Sequence, residues 1–265
     1  MRVFQDKLKS GGSVNSGAIK TSDYWSDLLY VLNCADISGH IELHIGLTSK
    51  MNHEFDNGIV HIEMLAPSKY LTGLGPGSIR RDGKPITSNS VSAVLRLLVG
   101  KQQIILFAGD LDGTGLNVIE RWGTELQAAF LVYPHHGGRS GTAMVSSFAR
   151  RLCALMTPET VVFSIGRGSY GMPRPDVVTA IKESRPLARI ACTQLSEHCA
   201  DKLPAVEPSH LSGLFAQGRE GRKCCTGSIE LAVKDTVTVT SPPSQHYEFI
   251  GRNAPTALCM EKPGS

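Results

Sequence analysis

The chain has 265 residues, 41 % of them hydrophobic and 19 % charged, with a formal net charge of +3 and a pI near 8.5. That is the composition of an ordinary globular protein, long enough for one large core or a domain with a small appendage, and its mild basicity admits nucleic acid as a substrate without arguing for it. No apolar run approaches the ~18 residues of a spanning helix, and the N-terminal Met1-Arg-Val-Phe-Gln-Asp-Lys7 lacks the apolar core of a secretory signal, so a cytoplasmic protein with no membrane contact is expected.

Residues 1–20, with Ser10-Gly-Gly-Ser-Val-Asn-Ser-Gly17, read as a flexible lead-in, because polar, Gly-rich sequence buries too little surface to order itself. From a cap at Ser22 or Asp23, Tyr24, Trp25, Leu28, Leu29, Val31 and Leu32 recur at helical spacing and predict an amphipathic helix. Gly39 to Leu47 alternates as a strand does, and so does Ile59 to Leu65, which stops at Ala66-Pro67. On a strand His40 and His44 share one face, either as a metal-ligand pair or, more ordinarily, as solvent-facing side chains. Tyr70 to Thr87, rich in Gly, Pro and basic residues, predicts a loop bordering a cleft.

After Asn89-Ser-Val-Ser92 the pattern becomes regular. Val94 to Val99 and Gln103 to Ala108 are strands joined at a tight Gly100-Lys101 turn. Thr114 to Leu126 is a helix with Leu116, Ile119, Trp122 and Leu126 as its buried stripe. Then come a strand at Phe130 to Tyr133, a helix at Thr142 to Met156, a strand at Val161 to Ile165, a helix at Asp176 to Ser184 and a strand at Ala188 to Cys192. This alternation predicts an α/β layer. Ile229 to Val233 and Thr236 to Thr240 read as a hairpin, and 241–265 as a Pro-rich tail.

Two of the apolar runs end abruptly in groups that bind metals or protons: Ile104-Ile-Leu-Phe-Ala-Gly-Asp110 and Phe130-Leu-Val-Tyr-Pro-His135-His136. Short apolar runs bounded by turn signals are strands buried on both faces, and ligands gather at the carboxyl ends of such strands. A carboxylate pressed toward a dry interior costs several kcal/mol unless it is paired or bound to a cation. Taken singly, Asp110 reads as a helix cap and the His pair as a satisfied loop. Occurring at successive strand ends, they favour a site whose oxygen and nitrogen donors suit Zn²⁺ or Mn²⁺.

Asn89-Ser-Val-Ser92, the strand pair ending in Gly109-Asp110, Pro134-His135-His136-Gly137-Gly138, and Val162-Phe-Ser164-Ile-Gly166 with Tyr170-Gly171-Met-Pro173-Arg-Pro175 resemble, in order and spacing, the second half of a metallo-β-lactamase-fold hydrolase. The branch most resembled is the hydrolase domain of bacterial competence DNA-uptake channels, over roughly residues 59–233. The resemblance implies an αββα sandwich, largely its C-terminal half, spanning residues 21–240. It also implies a two-metal centre with Zn or Mn bridged by Asp110 and completed by His135 or His136, with metal hydroxide attacking a phosphodiester, possibly in nucleic acid.

Two departures bear on this. The family's His-x-His-x-Asp-His motif is absent, and His40-Ile-Glu-Leu-His44 does not reproduce it. The family's Gly-His-Pro turn is here Gly171-Met172-Pro173, although Arg174 offers a phosphate contact. The chain is thus expected to enter the fold midway and to need residues upstream, a partner polypeptide or a homodimer to complete the centre. The alternative is a non-catalytic binding or regulatory subunit on a degenerate hydrolase fold.

Two further features carry chemistry. The loop Gly166-Arg167-Gly168-Ser169-Tyr170-Gly171 suits a substrate phosphate, with Arg167, Ser169 and Tyr170 as contacts, but lacks the spacing of a nucleotide-cofactor loop. The seven Cys do not form a disulfide framework, and Cys192, Cys199, Cys224 and Cys225, within a Cys-rich insertion at about 192–227, read either as a structural zinc set or as small buried thiols.

Overall fold

The structure, a computed structural model, describes residues 23–41, 48–49, 58–141, 144–168, 170–233, 237–239 and 243–260. The chain divides into two compact units, residues 1–47 and 48–265. In the first, α1 (Asp23–Ile37) forms where the apolar spacing predicts a helix, and its end is tied by the Ser38 hydroxyl, which donates to the carbonyls of Cys34 and Ala35.

The second unit is a mixed α/β fold. Its strands β1 (Val60–Ala66), β2 (Val94–Val99), β3 (Gln102–Phe107), β4 (Phe130–Val132), β5 (Thr160–Phe163) and β6 (Arg189–Cys192) form one six-stranded sheet in that order. β1, β2 and β3 pair antiparallel, whereas β3 to β6 are parallel. The change of direction follows from the connections. Gly100, at φ +57, closes the β2–β3 hairpin, while each parallel step needs a helical crossover. Those crossovers are α3 (Gly113–Arg121), α4 (Val145–Met156) and α5 (Pro175–Ser184), and all three pack in one core with Leu106, Leu131 and Val161, which stand in register on one face of the sheet.

Burial follows the sequence pattern. β5 and β6 are buried at every position, and Leu106, Leu131, Phe148, Leu152, Phe163 and Ile181 anchor one core. Along the start of β2 and in β3 the pattern alternates, and Arg96, buried on the core side, pairs with Glu63 across the β1–β2 ladder while also donating to the carbonyls of Glu125 and Gln127.

Several boundaries differ from expectation. The loop begun at Tyr70 opens with a short helix, α2 (Lys69–Leu74), capped by Ser68. The helix α3 ends at Arg121 because Gly123 turns the chain at φ +66. Trp122 is therefore exposed, and Leu126 reaches the core from a loop rather than from the helical stripe. The hairpin forms as β7 (Leu231–Val233) with β8 (Val237–Val239). The segment read as a tail instead carries α6 (Pro243–Asn253), whose His246, Phe249 and Ile250 are buried at i, i+3 and i+4. Lys182 holds the chain beyond it by donating to the Met260 carbonyl. No helix among the described residues is long and apolar enough to cross a membrane.

Candidate functional site

The turn after β3 is built for close approach. Gly109 has φ +53, and a Cβ there would lie 2.6 Å from the Ser92 hydroxyl and 2.9 Å from the Ala93 carbonyl, so only glycine fits. The Asp110 amide donates to Ser92 Oγ at 2.9 Å. The Asp110 carboxylate is 59 % exposed, so the cost of burying a charge falls on a different residue. That residue is Asp112, 4 % exposed. Its Oδ1 accepts the Thr114 and Gly115 amides at 2.9 and 2.8 Å as the N-cap of α3, and its Oδ2 accepts the Thr87 and Ser90 hydroxyls at 2.9 and 2.6 Å. The capping role read as one possibility for Asp110 belongs to Asp112, and the Asp110 side chain is left to the cleft. The Asp112-Gly-Thr-Gly run is the signal that identifies the cap.

The turn after β4 carries the histidines. His135 and His136 both have left-handed backbones, at φ +51 and +56, which is strained for residues with a Cβ. The two glycines that follow allow it: a Cβ on Gly137 would strike Phe163 and Pro173, and one on Gly138 would strike Met172. The His135 amide donates to the Gly109 carbonyl at 3.2 Å, coupling this turn to the first. His136, exposed, donates from Nδ1 to the Ser164 carbonyl at 2.5 Å, which leaves Nε2 uncommitted among the described residues.

These two turns bring His135 Nδ1 to 3.5 Å from Asp110 Oδ1, too long for a good hydrogen bond. Burial holds the His135 imidazole below the usual histidine range against the opposing pull of the Asp110 and Asp112 carboxylates, so the ring is neutral at pH 7. Its Nε2 is buried with no partner. A neutral imidazole and a carboxylate at 3.5 Å fit one edge of a tetrahedral Zn²⁺ shell, which spans about 3.4 Å for ligands at the usual distances. Two donors make only part of a shell, and among the described residues no group of three or more His, Cys, Asp or Glu is arranged to hold a metal.

Asp110, His135 and His136 open onto a cleft of about 1000 Å³ at the carboxyl ends of the parallel strands. The residues expected to hold phosphate there fare unevenly. Tyr170 lines the cleft and is 91 % exposed at φ +61, and the next carbonyl, of Gly171, is hydrogen-bonded to His198 Nε2. Arg167 lines it as well, but its guanidinium donates to the carbonyls of Leu195, Ser196, Ala200 and Asp201, which makes it a clamp on the following loop rather than a free anion contact. Arg174 is not among the lining residues and is engaged by both oxygens of Asp176. Ser169 lies outside the described residues.

The free cations of the cleft are Arg139 and Lys223, both exposed and neither in an ion pair among the described residues. Phe215 also lines the cleft and is 84 % exposed. None of these three carries a periodic signal, since each stands in a loop whose path is set by contacts such as Gln194 Nε2 donating to the Gln217 carbonyl. His40 shares a hydrogen bond with Ser38 in the turn after α1, and His44 lies outside the described residues.

The four cysteines read as a zinc set are not assembled as one. Cys192, Cys199 and Cys225 surround a small apolar space together with Cys259, whereas the Cys224 thiol donates to the Gln217 carbonyl at 3.7 Å. Burial pushes Cys192 and Cys225 well above the ordinary thiol range and raises Cys199 and Cys224, and among the described residues no group of three or more His, Cys, Asp or Glu is arranged to hold a metal. Neither family models nor curated proteins give a match to the chain.

Proposed function

We propose that the chain is a metal-dependent phosphodiester hydrolase of the metallo-β-lactamase fold that carries the second half of a two-metal centre and acts on nucleic acid. The observation that carries this reading is the approach of Asp110 Oδ1 and His135 Nδ1 to 3.5 Å at adjacent parallel strand ends, on the wall of a large cleft. In this reading Asp110 and His135 hold Zn²⁺ or Mn²⁺, with His136 Nε2 as a further donor. Residues outside the described set, or a partner polypeptide or second copy, complete the shell. A bound divalent ion supplies a Lewis acid and hydroxide near neutral pH. Arg139 and Lys223 draw the phosphate backbone into the cleft, and Tyr170 and Phe215 offer ring faces to unpaired bases.

The sheet supports the half-sandwich. Its helices cover one face, and the opposite face carries Ile62, Leu95, Leu97, Ile105 and Phe107 in cross-strand register, all partly accessible. That apolar face also favours the second reading, a binding subunit on a degenerate hydrolase fold that acts through a partner.

The test is hydrolysis of single-stranded nucleic acid, double-stranded nucleic acid and bis(p-nitrophenyl) phosphate by the Zn²⁺- or Mn²⁺-loaded chain, alone and with a polypeptide carrying His-x-His-x-Asp-His. Cleavage abolished by Asp110→Ala supports the enzyme. Absence of cleavage in every combination, with a stable complex formed, selects the binding subunit.

A further inference from the structure

We propose that Ser92 is a positioning residue: its hydroxyl fixes the Gly109–Asp110 peptide plane and thereby sets the separation of the Asp110 carboxylate from the His135 ring. The inference rests on the reading of Asp110 and His135 as a ligand pair.

Both polar groups of that one peptide plane are engaged. Its N–H, from Asp110, donates to Ser92 Oγ at 2.9 Å, and its carbonyl, from Gly109, accepts the His135 amide at 3.2 Å. The plane is therefore the direct mechanical link between the two strand ends. The Asp110 side chain is largely exposed and is approached among the described residues by the neutral His135 ring, so the backbone decides where the carboxylate stands.

Ser92 is itself held. Its amide donates to the Asn89 carbonyl at 3.2 Å, and the same turn is fastened to Asp112 by the Thr87 and Ser90 hydroxyls. The turn before β2 thus grips the turn after β3 at two points, Asp110 and Asp112. The 2.6 Å between Ser92 Oγ and the Cβ position of Gly109 shows how little slack the contact has. Removing the hydroxyl leaves the Asp110 N–H unpaired and frees the plane to rotate, which moves the carboxylate and the His135 amide together.

The experiment compares the full chain with Ser92→Ala and Ser92→Thr by Zn²⁺ and Mn²⁺ titration calorimetry, by amide hydrogen exchange without metal, and by thermal unfolding. Ser92→Ala is expected to weaken metal binding by about 10- to 100-fold. It is also expected to speed exchange of the Asp110 and His135 amides together by about tenfold. Ser92→Thr, which keeps the hydroxyl, is expected to restore both. A general loss of protection across the sheet, or wild-type affinity and exchange in Ser92→Ala, overturns the inference. If the wild-type chain binds neither ion, alone or with a polypeptide carrying His-x-His-x-Asp-His, the ligand reading fails, and the exchange data still decide the positioning role: joint deprotection of the two amides upholds it, and independent behaviour removes it.

Discussion

At the carboxyl ends of β3 and β4, Asp110, His135 and His136 stand on short turns whose glycines allow close packing, and their side chains reach a solvent-filled cleft. Beside β6, Cys192, Cys199, Cys225 and Cys259 meet with His210 and His246 in the interior. Both regions are rich in metal-binding residue types, yet their physical states are opposed. In the first, an exposed carboxylate and a neutral imidazole leave donor atoms uncommitted. In the second, burial keeps the thiols protonated, His210 Nε2 is committed to the Cys225 carbonyl, and His246 Nε2 is 3.2 Å from the Cys225 thiol. Residue type alone therefore does not distinguish a ligand from a packing group. What distinguishes them is whether the group's lone pair is available and whether its charged form is tolerated.

The largest expected effect that sharpens this contrast is acid sensitivity of the interior cluster. Burial, with help from Arg189 and His210, pulls His246 down to about 3 from 6.5. Above pH 6.5 both folded and unfolded chains are neutral at this residue and it adds no pH dependence. Between pH 6.5 and 3 the unfolded chain takes up a proton that the folded chain refuses, so stability is lost as pH falls. The slope from this one group is about 1.4 kcal/mol per pH unit, and His135 and His210 act in the same direction. Urea unfolding between pH 4 and 7 checks this, and His246→Gln is expected to reduce the slope whatever its effect on absolute stability.

Next in size is the difference between neighbouring carboxylates. Asp112→Ala removes a helix cap and strands two hydroxyls, an expected cost of about 3 kcal/mol. Asp110→Ala is expected to stay within about 0.5 kcal/mol because its side chain faces solvent. Chemical denaturation of the two variants measures both, and equal losses would erase the distinction between structural and site carboxylates.

The cations of the cleft give a second way to separate the roles. Arg167→Ala removes the guanidinium from four carbonyls, of which, among the described residues, only that of Ser196 keeps backbone donors, from Cys199 and Ala200, and is expected to destabilise by about 2 kcal/mol. Arg139→Ala and Lys223→Ala are expected to leave stability nearly unchanged and each to lower the salt slope of nucleic-acid binding by about one. Fluorescence anisotropy over a salt series reads this out.

Much of the α/β layer was legible because its strands are short apolar runs and its helices repeat apolar residues on one face. Gly100-Lys101 announced the hairpin, and the strand ends at Asp110 and His135 were visible as abrupt changes of polarity. What escaped was set by contacts distant in sequence. Asp112 rather than Asp110 bears the burial, because the Thr87 and Ser90 hydroxyls reach it from another turn. Arg167 looked free until its loop folded back over it, and Arg174 until Asp176 engaged it. The helix at 243–253 was hidden by its polar average, although His246, Phe249 and Ile250 at helical spacing were its signal. Arg139, Lys223 and Phe215 share a cleft only because the loops carrying them are brought together by the parallel strand ends.

The most direct test of the central claim is Zn²⁺ binding, measured by calorimetry in the presence of a polypeptide supplying the His-x-His-x-Asp-His half, for the wild-type chain, Asp110→Ala, His135→Ala and Cys192→Ser/Cys225→Ser. The account predicts that binding is lost in Asp110→Ala and His135→Ala and kept in the cysteine double variant. Binding that survives both strand-end substitutions and disappears with the cysteines would contradict it.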